Sequence, residues 1–356
     1  MVQPEGSKPS QGSLQNYDTT SSEDSMKQLI QKLTEAFSPS GYEDSVREVI
    51  LAEIEPLADE IHVDALGNIL ARKGTKAAGG KRVMVAAHMD EIGLIATHID
   101  ENGFVHFTQI GTRSARYLLG GRVRFVNGVQ GVVGAEKTSK VNEILPADKL
   151  FIDVGATARK NCPVKLGDVA AFEQPFLELG ERLVAKSLDD RAGVAIAIET
   201  LRKLQRGPNE MYFAFTVQEE VGVRGATVSA YGVDPEIGLA VDVTPAGDTP
   251  NPVRRDIALG NGPAIKIKDS QMLADPNVIA WMERTAQKEN ISTQREVLTN
   301  GSTDARAIQL TRSGVPTGGL SIPCRYIHSP SEMIDYGDLE NAVRLLTAMF
   351  NAPIDL

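Results

Sequence analysis

The residues here whose types and spacing could do chemistry are imidazoles and carboxylates standing just past short apolar runs. Five histidines are present, and three of them open a His-x-Asp triplet: His62-Val63-Asp64, His88-Met89-Asp90 and His98-Ile99-Asp100. On a strand, residues i and i+2 share a face. The Asp can then accept a proton from one ring nitrogen and leave the other free for a metal. All three triplets satisfy that spacing, and their surroundings separate them. His98 and His106 flank Glu101-Asn102-Gly103, a hairpin turn signal, and are expected as cross-strand neighbours on an exposed face. His62 lies between an acidic helix end and the turn-like Ala65-Leu66-Gly67-Asn68, with no buried strand leading to it. His88 differs, because it ends Val83-Met84-Val85-Ala86-Ala87, a short apolar run without alternation, as a strand buried on both faces requires.

Paired acids form the second group. Asp189-Asp190-Arg191-Ala192-Gly193 lies between the strand-like Arg182-Leu183-Val184-Ala185 and the helical Val194-Ala195-Ile196-Ala197-Ile198. One Asp at such a junction is an ordinary helix cap. A second beside it invites a cation. Glu219-Glu220 ends another apolar strand, Met211 to Val217, and precedes the glycine-rich Val221-Gly222-Val223-Arg224-Gly225. Adjacent strand residues face opposite ways, so the two glutamates are expected to divide their work, one binding a metal and the other acting as general base. Asp242 closes the strand Ile237 to Val241, and His328 stands in the loop after Ile322-Pro323-Cys324. Each is unremarkable singly. Together they make a set of two imidazoles and several carboxylates, whose mixed N and O donors suit Zn, Co or Mn better than calcium. A carboxylate-bridged metal pair can ionise water and stabilise a tetrahedral oxyanion, which is the chemistry of amide hydrolysis.

These residues need a scaffold that gathers strand ends. Met26, Leu29, Ile30, Leu33 and Phe37 are spaced as one helical face, and Ser40 with Glu43 reads as a capping box opening a second helix. From about Gly93 to Glu178 the pattern shifts to short strands broken by Gly and Pro, an inserted β-rich region. Strands are then expected near 183–186, 210–217, 237–242, 264–267 and 315–320. Helices are expected near 190–205, 275–289, 303–310 and 338–350. Such alternation implies an α/β sheet with helices on both faces, and ligands in open sheets of that kind bind beyond the carboxyl ends of the strands. The resulting plan is a disordered tail over 1–24, a catalytic α/β domain over 25–92 and 179–356, and an insertion over 93–178.

Composition narrows the function classes. A net charge of −10 argues against a general binder of nucleic acid or anionic membrane, which needs surplus Lys and Arg. No apolar stretch approaches the ~18–20 residues of a spanning helix, and no basic segment followed by an apolar run marks the N-terminus. Two cysteines, Cys162 and Cys324, are too few for a disulfide framework. These features place the protein in the cytoplasm.

The sequence resembles the M42 metallo-aminopeptidases, which include tetrahedral and glutamyl aminopeptidases. The likeness spans about residues 26–352. It rests on Ala87-His88-Met89-Asp90-Glu91, Ala185-Lys186-Ser187-Leu188-Asp189-Asp190-Arg191, Gln218-Glu219-Glu220-Val221-Gly222-Val223-Arg224-Gly225-Ala226, Val241-Asp242, Gly301-Ser302-Thr303-Asp304-Ala305 and Ile322 to Pro330 with His328. It implies two divalent metal ions per subunit, Zn or Co ahead of Mn. His88 and Glu220 would be terminal ligands, joined by Asp242 and His328, with Asp189 bridging. Glu219 would be the general base toward a water held between the metals, and Asp90 would orient His88. A cis peptide between Asp189 and Asp190 is implied too, as is a mixed central sheet of the dinuclear-metal exopeptidase type carrying a barrel-like dimerisation insert. Substrates would be short peptides with a free N-terminus, and the partner would be the chain itself, from dimer to tetrahedral dodecamer. Ser302 stands where the family often has Gly.

Two other readings compete. The acidic pairs suggest a glycoside hydrolase, an endoglucanase name that some family members carry. Its two carboxylates would have to flank a sugar ~5–10 Å apart, and the histidines would be idle. A catalytically silent peptide-binding or assembly protein would have lost Glu219 or a ligand, and every such position is filled.

Overall fold

The computed structural model describes residues 22–111, 114–137, 145–252 and 256–356. Most of the N-terminal tail expected over 1–24 lies outside the described residues, and the first helix, Ser22–Glu35, already includes its last three. An 11-stranded mixed sheet forms the larger body. At its centre four strands run parallel in the order Glu210–Thr216, Arg82–His88, Ile237–Pro245 and Thr317–Arg325. Beyond Thr317–Arg325 the sheet forks. The first half of that strand pairs antiparallel with Ala264–Lys268, which carries Gln294–Val297, and its last residues pair with Glu332–Asp335. The latter leads through Arg182–Ala185 to Leu177–Leu179. At the opposite side Ile69–Lys73 and Glu60–Val63 complete the sheet.

The lack of alternation in Arg82–His88 has the expected cause. Val83, Val85 and Ala87 pack into the larger core with helices Ser22–Glu35, Asp44–Ile54, Leu188–Lys203 and Tyr336–Asn351, while Met84 and Ala86 pack into a smaller one under Arg224–Val233 and Ala305–Gln309. Both faces are therefore dry, and period-2 patterning would be a liability. Register then aligns the strand ends. Thr216 pairs with His88, and Ala240 pairs with Ala86, which puts Asp242 level with His88 on the adjacent strand.

The insertion is a closed barrel of six strands, in the order Gly93–Ile99, Val105–Ile110, Leu150–Asp153, Gln130–Ala135, Arg122–Phe125 and Val169–Phe172. Leu94, Phe107, Val123, Phe125, Ile152 and Phe172 fill it with a core of its own. The barrel ends at Phe172, and the next strand, Leu177–Leu179, already belongs to the main sheet, so the expected boundary at 178 falls inside it.

One expectation from a local pattern, the capping box of Ser40 with Glu43, gives way to tertiary partners. Glu43 precedes helix Asp44–Ile54, but no side-chain cap forms there. Ser40 instead donates its hydroxyl to Asp90 Oδ2 at 2.6 Å, and Glu43 Oε1 accepts the N–H groups of Gly41 and Gln218. A capping box satisfies only local donors, whereas these contacts tie the Ser40 turn to the strand ends.

Beneath the sheet's polar edge lies a buried ionic group. Lys186 Nζ sits 2.9 Å from both oxygens of Glu91 and donates to Ala36 O at 3.2 Å, while Arg191 Nη2 is 3.9 Å from Glu91. Lys186, Glu91 and Arg191 are all buried. Removing the anion would strand two buried cations, a change that costs about 3–5 kcal/mol. Glu91→Ala is expected to lower stability by that amount in urea denaturation, whereas Glu283→Ala, which breaks an exposed pair with Arg295, changes it by less than about 1 kcal/mol.

Candidate metal centre

The proposed ligands converge from separate elements onto one cavity of ≈ 580 Å³, lined by His88, Asp189, Glu219, Glu220, Asp242 and His328 among others. Asp242, expected to close its strand, lies within that strand, because pairing with Thr317–Arg325 carries it on to Pro245. Asp189 is central. One of its carboxylate oxygens lies 3.0 Å from His88 Nε2 and the other 3.1 Å from His328 Nε2. Ligand atoms of His88, Asp189 and Glu220 fall within 4.8 Å of one another, as do those of His88, Asp190 and Asp242. Glu220 Oε1 is 3.3 Å from His328 Nε2, yet it is buried without a hydrogen bond. An orphaned anionic oxygen beside two imidazoles is a poor neutral arrangement and a good cation receptor. Oxygen and imidazole donors in this mixture fit borderline divalent cations.

Electrostatics tell the same story. Burial, aided by neighbouring carboxylates, pushes Glu219, Asp242 and Asp190 well above the usual carboxylate range. Against its own burial, His328 is driven up to about 12 by Glu220 and Asp189. His88 is likewise raised against burial, by Asp189 and Asp90. Burial would raise Asp189 as well, but the two imidazoles hold it well below the usual range. Negative charge gathered in a dry place raises the proton affinity of both histidines. Divalent cations would displace protons there.

Local backbone aims each group. The helix expected from about 190 begins at Leu188, and Asp189 and Asp190 inside it have non-helical backbone angles. The peptide between them is cis. Asp190 accepts the N–H groups of His88 and Gly193 at 3.2 and 3.0 Å, so its carboxylate fixes strand to helix. A side chain at Gly193 would overlap those oxygens, which is why glycine stands there. Strand Glu210–Thr216 ends before the glutamates, and Gln218 turns the chain at φ 56°. The expectation that Glu219 and Glu220 face opposite ways along a strand therefore does not hold, and both line the cavity. Asp90 reaches across to accept Glu219 N at 2.9 Å and Glu220 N at 3.2 Å, with His88 Nδ1 3.4 Å from the same carboxylate.

Glu332 was not singled out from the sequence. Its two oxygens accept Asp189 N at 2.9 Å and His328 N at 2.7 Å, so one buried carboxylate clamps two proposed ligands by their backbones. Burial lifts its pKa to about 8. An acid four residues after His328 was the available signal. The other triplets stay apart from the cavity. Asp64 closes the turn through Leu66, Gly67 and Asn68. His62 and His98 are exposed, and the His98 and His106 rings face each other across the hairpin at 5.8 Å.

Comparison with known proteins identifies the family and the fold. The profile of the M42 glutamyl aminopeptidase family matches residues 67–345. A lysyl aminopeptidase of Pyrococcus furiosus is 33% identical over 338 residues, which cover 90% of this chain and 96% of the relative. An aminopeptidase structure from the archaeon Desulfurococcus kamchatkensis superposes with a TM-score of 0.89 at 38% identity, covering 93% of this chain and 96% of that one. The TET1 peptidase of Pyrococcus horikoshii, described as able to assemble into a tetrahedron or a large octahedral shell, gives a TM-score of 0.83 at 34% identity, covering 91% and 98%. With most of its length matched and its strand ends gathered around one cavity, this chain belongs to the M42 family of aminopeptidases and is a hydrolase.

Proposed function

We propose that the chain removes N-terminal residues from short peptides, using two divalent cations held by His88, Asp189, Glu220, Asp242 and His328, with Glu219 as general base. The observation that carries this reading is the Asp189 carboxylate, which presents one oxygen beside each of two histidines. Zn or Co, ahead of Mn, suits these donors, and the bound cations would polarise the scissile carbonyl and acidify a water. Glu219 lines the same cavity beside the proposed ligands. Its carboxylate takes the proton that the attacking water gives up and passes it to the leaving amine. Burial favours the protonated form of Glu219, which lets it hold that proton between the two transfers. Asp90, from beneath, holds the backbone of both glutamates in place. A glycoside hydrolase reading lacks support, because the close carboxylates crowd onto imidazoles instead of flanking an open slot.

Net charge −10 disfavours nucleic acid and anionic membrane as partners, and no described helix is long and apolar enough to cross a membrane. We place the protein in the cytoplasm on those grounds. The barrel supplies none of the proposed ligands and has its own core, so its role is assembly of the homo-oligomer, the kind of association that the Pyrococcus horikoshii relative's description records.

Thorough chelation should abolish peptidase activity, and re-addition of Zn or Co should restore it. Glu219→Gln is expected to keep its metal content and lose about 10²–10⁴-fold in kcat, whereas Glu220→Gln loses metal as well. Metal analysis beside steady-state kinetics reads both. Should Glu219→Gln turn over normally while Glu220→Gln keeps both metals but not activity, the two roles are reversed.

Acid should silence the enzyme in two ways. Cations must displace protons from histidines whose affinity for them is raised, so metal is held less tightly as pH falls. Glu219 must be unprotonated to act, and its raised pKa moves that limb of the profile above the ordinary glutamate value. A kcat/KM profile that stays flat down to about pH 4, with circular dichroism showing an intact fold, contradicts the mechanism.

Light scattering at micromolar concentration should find particles larger than a monomer, and smaller ones when a Gly-Ser linker replaces the barrel. A strictly monomeric intact chain overturns the assembly role.

A further inference from the structure

Among the described residues, and apart from the two histidines, the cavity is lined by a single basic side chain, Arg306, next to acids and the neutral polar Ser270, Gln271 and Asn300. Arg306 is only partly buried, and among the described residues no ion pair or hydrogen bond engages its guanidinium. That is unusual in this molecule, where Arg72, Arg82, Arg182, Arg202 and Arg325 each meet a carboxylate. Four residues earlier, Ser302 lines the same cavity, and its Oγ is buried without a partner. A buried hydroxyl left unpaired costs free energy unless something arrives to pair it. Arg306 also lines the adjoining surface groove with Tyr231 and Leu310, so it stands at the cavity's rim, where the two meet.

A peptide's carboxylate approaching this cavity meets a wall of buried acids in a protein of net charge −10. A fixed cation at the rim favours its entry and gives it a place to dock. We propose that Arg306, assisted by the Ser302 hydroxyl, forms a subsite for a carboxylate of the substrate. A planar guanidinium binds such a group through two parallel N–H donors, and Ser302 adds a third. This rests on the aminopeptidase reading and adds to it a preference. The carboxylate has two sources, the C-terminus of a very short peptide or an acidic N-terminal side chain.

The test compares ratios. With metal-loaded protein, kcat/KM is measured for Leu-Gly against Leu-Gly-amide, and for the p-nitroanilides of Glu against Gln. Arg306→Gln is expected to lower one of these acid-to-neutral ratios by about 10- to 100-fold, mainly through KM, with Arg306→Lys restoring part of it. A fall in the first ratio identifies the C-terminus, and a fall in the second the side chain. Ser302→Ala should lower the same ratio less, and an unchanged value there removes Ser302 from the subsite. Neither ratio moving in Arg306→Gln overturns the proposal. Calorimetric binding of Leu-Gly, Leu-Gly-amide, free Glu and free Gln to the Glu219→Gln background, with and without Arg306→Gln, reads the same preference without turnover. If the wild type cleaves none of the four substrates, the aminopeptidase mechanism falls, while equal binding of each acid and its neutral counterpart still overturns the subsite.

Discussion

Like charge crowded into a dry place is the constraint around which this molecule is built. Asp189, Asp190, Asp242, Asp90, Glu220 and Glu332 meet at one edge of the sheet, most of them almost without solvent. Water cannot screen them, so the protein supplies donors instead. Asp90 takes the N–H groups of the two glutamates, Glu332 those of Asp189 and His328, and Asp190 those of His88 and Gly193. Glu332 and Asp190 each join backbone of two different elements, and Asp90 joins its own strand end to the turn that carries both glutamates. The negative charge that a metal centre requires thus also holds the loops that deliver it. One layer down, Lys186 and Arg191 meet Glu91, immediately after Asp90 in sequence, and bring two cations close to the acids.

Much of this was legible in the sequence, for reasons that concern particular residues. Apolar runs without alternation located Arg82–His88, Glu210–Thr216 and Ile237–Pro245 because strands buried on both faces admit little else. The strand-end rule then directed attention to His88 and Asp242. Local rules failed where a side chain spends its hydrogen bonds at long range. Ser40 and Glu43 looked like a cap and serve the strand ends instead, and Glu332 meets Asp189 from 143 positions away. The helix after Asp189 and Asp190 begins irregularly, which no propensity scale registers. Strand geometry misled for Glu219 and Glu220, since a turn at Gln218 ends the alternation just before them.

Division of labour between the two bodies follows from the same physics. The sheet edge needs rigid elements whose ends arrive together, and parallel strands with crossovers provide them. The barrel has another task and another core, drawn from alternate residues of short antiparallel strands.

Closure of the barrel also bears on how copies of the chain can meet. A sheet whose last strand bonds its first offers no free row of N–H and C=O groups, so a second barrel cannot add to it as another strand. The forked main sheet ends in three short strands, Leu177–Leu179, Glu60–Val63 and Gln294–Val297, whose Glu178, Glu60 and Arg295 carry charge outward. Such edges disfavour strand addition and leave side-chain surfaces for contact between copies, a kind of contact whose shape sets a fixed angle and permits closure. Strand addition, by contrast, repeats without end, and its natural product is a fibre.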